Sequence, residues 1–81
     1  MTAASYVPAD PRTRSAKGWR ARLGAMASRG EVDGPRVAEA KAALSWWKAR
    51  GLLVDDLGVD PVRAESLLAV IFPEVAETVA R

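Results

Sequence analysis

Three prolines, each directly after a residue suited to open a helix, constrain this chain more than any other feature: Asp10-Pro11, Gly34-Pro35 and Asp60-Pro61. An Asp N-cap offers its carboxylate to the first free N–H groups, and proline at the first helical position sacrifices only an N–H that has no helical partner. Gly30 and Gly51 fall where helices close, and Arg50 suits the negative end of the second one. No stretch between these marks alternates as a strand would. The pattern predicts an all-α fold, a compact bundle of three to four short helices near 11–29, 35–50 and 61–72, with Pro73 opening or kinking a tail helix near 73–80. Residues 1–10 read as a disordered N-terminal arm and 11–81 as a single helical domain. Leu52-Leu53-Val54 reads as a buried connector. With 81 residues and 8.7 kDa, the chain has room for one core only.

A period of 3.6 residues supports these spans. Trp19, Leu23 and Met26 share one face of the first helix, opposite Arg14, Lys17, Arg20 and Arg22. Val37, Ala40, Leu44 and Trp47 line the second, so Trp47 is expected in the core. Trp46 lies about 100° away from Trp47, in an arc with Ala42, Ala49 and Arg50. A helix with apolar residues on two sides packs on two sides or exposes one of them. The third helix is apolar almost all round, with Arg63, Glu65 and Ser66 as its polar side chains after Pro61, and reads as the buried centre of the bundle.

The sequence contains no cysteine, histidine, asparagine or glutamine. That excludes disulfides, thiolate nucleophiles, histidine bases and the usual ligands of zinc, copper, haem and iron–sulfur centres. The acidic stretch Asp55-Asp56-Leu57-Gly58-Val59-Asp60 lacks the alternating oxygen ligands and final Glu of a calcium loop. Ser45-Trp46-Trp47-Lys48 has the spacing of a serine–lysine pair but no companion motif. No metal, cofactor, catalytic residue or enzymatic activity is expected.

Charge is unevenly distributed. Residues 1–50 carry ten basic and four acidic side chains, net +6, and residues 51–81 carry two and six, net −4, giving the +2 of the whole chain. Arg12, Arg14, Lys17, Arg20 and Arg22 form a candidate phosphate-binding face. The competing reading is that basic helices lie across the acidic half and neutralise it. A helix-turn-helix is disfavoured, because its third helix would have to carry polar groups into the major groove.

Trp46 is the candidate anchor of a protein-binding surface, together with Ala42 and Ala49 and rimmed by Arg50 and Glu39, since tryptophan is enriched at the energetic centres of interfaces. The competing reading is that the tail helix or the N-terminal arm covers it.

The longest apolar run, Leu67 to Phe72, is too short for a membrane span, and Met1–Pro8 lacks the layout of a secretory signal. Thr2 stands where N-myristoylation needs a glycine, and there is no CaaX ending, so the common lipid anchors are not expected and a cytoplasmic location is. Sixteen alanines, and nine arginines against three lysines, suggest a GC-rich bacterial or phage source. The stretch Arg22-Leu23-Gly24-Ala25-Met26-Ala27-Ser28-Arg29-Gly30, followed by Asp33-Gly34-Pro35-Arg36-Val37-Ala38-Glu39-Ala40-Lys41-Ala42-Ala43-Leu44, resembles short helical proteins of actinobacteria, their plasmids and their phages. Those often read small–Leu–Ser–Arg, then Asp-Asp-Pro, then Val-x-x-Ala-Arg and Leu. Gly34 and the Trp46-Trp47 pair depart from that pattern. The resemblance implies a helical hairpin and no activity. Taken together, the expectation is a small non-enzymatic regulatory protein, phage- or mobile-element-encoded, that modulates a larger host or phage protein, or self-associates, through the Trp46 surface. The alternative is a DNA- or RNA-binding accessory protein using the basic face of the first helix.

Overall fold

The computed structural model describes residues 9–73 and 75. These form a short 3-10 turn, Pro11–Thr13, and the helices α1 (Ala16–Ser28), α2 (Pro35–Gly51) and α3 (Pro61–Ile71), with a π-helical turn Leu52–Asp56 after α2. No strand occurs among the described residues. The all-α fold of a few short helices is therefore as the proline pattern predicts. Residues 1–8 of the expected arm, and most of the expected tail helix, lie outside the described residues.

One helix start differs from expectation, and one glycine ends its helix without turning the chain. Asp10 does cap a turn, accepting from Arg12 N–H at 2.9 Å, but that turn closes after Thr13 and Arg14 is extended. The helix proper starts at a second cap, the Ser15 hydroxyl, which accepts from Gly18 N–H at 3.0 Å. The end of α1 follows the glycine reading: Gly30 has φ +83°, Glu31 N–H donates to Met26 O at 2.9 Å and Gly30 N–H to Ala27 O at 3.0 Å, a Schellman closure. Gly51, by contrast, is the last residue of α2, as expected, but does not close it with a positive φ. It keeps helical angles, and the backbone widens through Leu57 N–H to Leu52 O (2.9 Å) and Val59 N–H to Leu53 O (2.7 Å). The chain turns only at Gly58, where φ is +68°. In this π-helical turn Leu53 and Val54 are half-buried while Leu52 is exposed, so it is not a buried connector. Asp60 caps α3 through Val62 N–H (3.0 Å) and Arg63 N–H (3.3 Å). Phe72 leaves the helix just before Pro73, as a residue preceding proline is biased to do.

The core is centred on the α1–α2 hairpin and not on α3. Trp19 and Met26 of α1 pack with Val37, Ala40 and Ala43 of α2, and Leu23, Leu44 and Trp47 close the cluster's edge. The other buried apolar side chains among the described residues are Pro11 in the 3-10 turn, Trp46 on α2, and Ala64 and Leu68 on α3. At 100° per residue, the buried positions of α2 from Val37 round to Trp46 sweep about half its circumference. One side of that arc meets α1 and the other meets the 3-10 turn and α3. Thus α2, not α3, is the central helix, and it packs on two sides.

Candidate functional site

The N-terminal segment 9–14 lies across the tryptophans. Pro11 is buried, and its carbonyl accepts from both Trp19 Nε1 (2.8 Å) and Trp47 Nε1 (2.9 Å). Trp47 Nε1 also donates to Arg14 O at 3.1 Å. Ala9 N–H donates to Glu39 Oε2 at 2.6 Å. The last two residues of the expected arm are therefore held in place. Arg12 forks onto Asp10, Nη2 to Oδ2 at 2.9 Å and Nε to Oδ1 at 3.1 Å, and reaches Glu65 Oε1 with Nη1 at 3.0 Å. Glu65 also receives Arg50 Nε at 3.3 Å. The Arg12 guanidinium holds the Asp10 carboxyl below its ordinary pKa. Three arginines stand over the three indoles: Arg12 over Trp46, Arg14 over Trp19 and Arg50 over Trp47.

These contacts overturn the Trp46 surface. Trp46 is 2% exposed, whereas Trp47, expected in the core, is only half-buried and meets it edge to face at 5.1 Å. Arg12 and the remainder of the N-terminal segment cover the side of α2 that periodicity leaves unassigned. Glu39 is no rim residue: it is 9% exposed and bonded to Ala9 N–H. Arg50 is bound to Glu65, Ala49 is half-buried and Ala42 is exposed without its neighbours.

The basic face is also reduced. Arg12 is engaged with Asp10 and Glu65, and the Glu65 pair is neutralisation across the two halves of the chain. Arg14 stacks on Trp19, and Arg22 is half-buried with its Nε unpartnered. Lys17 and Arg20 remain exposed, with no ion pair among the described residues. An open groove of about 540 Å³ is lined by Ser45, Lys48, Ala49, Leu52, Asp55 and Asp56. Ser45 Oγ donates to Lys41 O at 3.2 Å, so the serine hydroxyl is turned along its own helix rather than toward Lys48. No group of three or more carboxylates converges among the described residues.

What the periodicity missed is on α3. Only Ala64 and Leu68 of that helix are buried. Val62 (77% exposed), Val70 (78%) and Ile71 (55%) project outward, with Leu67 beside them. Leu67, Val70 and Ile71 stand at i, i+3 and i+4, one contiguous stripe. The signal was present: an 11-residue helix that is apolar almost all round has more such surface than one neighbour covers. No described helix is long and apolar enough to cross a membrane. No protein-family model, curated protein or solved structure matches this chain.

Proposed function

We propose that this chain is a small non-enzymatic binding protein that modulates a larger protein through the outward face of α3. One observation carries the reading: Leu67, Val70 and Ile71 form an exposed apolar stripe running alongside the packed Ala64–Leu68 face of α3. Exposed contiguous apolar patches mark interaction sites, and anchors at i, i+3 and i+4 suit helix-in-groove recognition. Cytoplasmic location and a phage or mobile-element origin belong to the same proposal, supported by composition and by the resemblance of residues 22–44. A photo-crosslinking amino acid at position 70 tests it, with one at Ala38, on the exposed side of α2, as the control. A discrete adduct from position 70, absent from position 38 and lost with Ile71→Asp, is expected. No adduct from position 70 in the native host would end the proposal.

The nucleic-acid reading keeps one supporting observation, the exposed Lys17 and Arg20, which have no ion pair among the described residues. Two phosphate contacts would give a slope of about −1.8 in a log–log plot of affinity against salt. Lys17→Glu/Arg20→Glu would then abolish binding, and no shift of duplex or single strand at low salt would dismiss this reading.

A further inference from the structure

We infer that the groove beneath residues 9–14 is a peptide-binding site, filled in cis by the chain's own segment, that takes a proline–arginine segment of a partner protein in its place. The inference is independent of the α3 stripe. The resident segment has the chemistry of a peptide ligand. Asp10 has polyproline-like angles (φ −60°, ψ 130°), Pro11 is buried, and the Pro11 carbonyl accepts from the indole N–H groups of Trp19 and Trp47. The Arg12 guanidinium lies 5.8 Å over the Trp46 ring and reaches Glu65, and Ala9 N–H donates to the Glu39 carboxylate. Aromatic-lined grooves take extended proline segments, and a carboxylate beside the rings fixes a neighbouring arginine.

Three observations set the segment apart from the body it lies on. Among the described residues, no backbone–backbone hydrogen bond joins it to α2 or α3. Its ion pairs are partly exposed, with the side chains of Asp10, Arg12 and Glu65 at 24%, 40% and 35%, and such pairs contribute little. Finally, α1 opens on its own cap, Ser15, directly after the extended Arg14 (φ −138°, ψ 152°), and the core cluster of Trp19, Met26, Val37, Ala40 and Ala43 does not include the segment. The segment can therefore lift at Arg14 without unwinding α1. Lifted, it leaves the Trp46 ring, two indole donors and the carboxylates of Glu39 and Glu65 for a replacement that carries the same groups. The tether gives the resident segment an effective concentration of about millimolar, so an incoming segment succeeds when it binds better or when the resident is weakened.

Full-length Pro11→Gly/Arg12→Gly, checked for helix content by circular dichroism, tests this with a fluorescent, end-blocked peptide of the chain's own residues 9–14. The peptide is expected to bind the variant at least about tenfold more tightly than wild type, whose groove is filled. The same peptide with Pro11→Gly/Arg12→Gly does not bind, and adding Trp47→Phe to the variant protein weakens binding about two- to tenfold by removing one donor. In wild type itself, hydrogen exchange should show the Trp19 indole N–H at least about tenfold less protected than the backbone amides of Met26 and Ala40, because local release opens it without global unfolding. A variant that keeps its helices and binds the peptide no better than wild type overturns the inference, as does equal binding of the glycine peptide. A variant that loses its helices, or a Trp19 indole as protected as the core amides, makes the segment part of the core and overturns it as well. A wild type that dimerises with concentration and is returned to monomer by the peptide overturns the separate partner alone, since a second copy then supplies the segment.

Discussion

The Pro11 carbonyl is where the N-terminal segment, α1 and α2 meet, because indole N–H groups from two helices converge on it. Periodicity could rank the faces of α2 but could not say that the residues before Ser15 fold back over one of them. That is why Trp46 is buried where an exposed anchor is expected, why Trp47 is half-buried at the core's edge, and why Glu39 accepts a backbone bond instead of rimming a surface. Trp46→Ala is expected to cost about 3–5 kcal/mol in urea titration, as a fully buried aromatic does. Trp47→Phe should cost only about 1 kcal/mol, since it removes one donor while Trp19 still serves Pro11. If the two losses came out reversed, the N-terminal segment would not cover Trp46. Asp10 gives a pH dependence. Its native pKa lies below its ordinary value of 3.8, so its contribution is complete above that value and is lost as pH falls through the native one. The stability difference between wild type and Asp10→Asn should therefore be flat at neutral pH and shrink below about pH 4, with Asn retaining the cap. A difference unchanged down to about pH 2 would mean that Asp10 is not held by Arg12.

At the scale of elements, caps were the most legible signal. Asp10, Gly30 and Asp60 all do locally what their residue types suggest. The start of α1 was obscured because Asp10-Pro11 and Ser15 are both competent caps five residues apart, and the first closes only a 3-10 turn. Gly51 ends the α-helix but does not turn the chain. Glycine turns the chain only where a positive φ is needed, and that need arises at Gly58. Two alanine substitutions separate these roles by thermal or urea unfolding. Gly24→Ala has open space and helical angles, so it should stabilise the monomer by up to about 1 kcal/mol. Gly58→Ala also has space, but its φ of +68° makes the same substitution cost about 1–2 kcal/mol. Equal effects of the two would contradict the assigned backbone conformations.

For the molecule as a whole, the sequence conveyed the all-α class and the hairpin but not which helix lies in the middle. Composition identified α3 as the most apolar helix, and burial at the centre was the economical inference. Periodicity carries no information on how many neighbours a helix finds. Here α2 is the central helix, lying between α1 on one side and the N-terminal turn with α3 on the other, so α3 is left at the edge with its stripe outward. The candidate surface was therefore visible as excess apolarity, and only its direction was not. The central claim is that one side of α3 is core and the other is a free binding face. Urea unfolding of Val70→Asp against Leu68→Asp, under conditions where the chain is monomeric, tests it most directly. Leu68 is 1% exposed, and burying a carboxylate in its place should cost at least about 3 kcal/mol or abolish folding. Val70→Asp should stay within about 0.5 kcal/mol of wild type at an unchanged urea dependence. A loss at Val70 comparable to that at Leu68 would mean that α3 is enclosed on both sides and that the chain has no apolar face to offer.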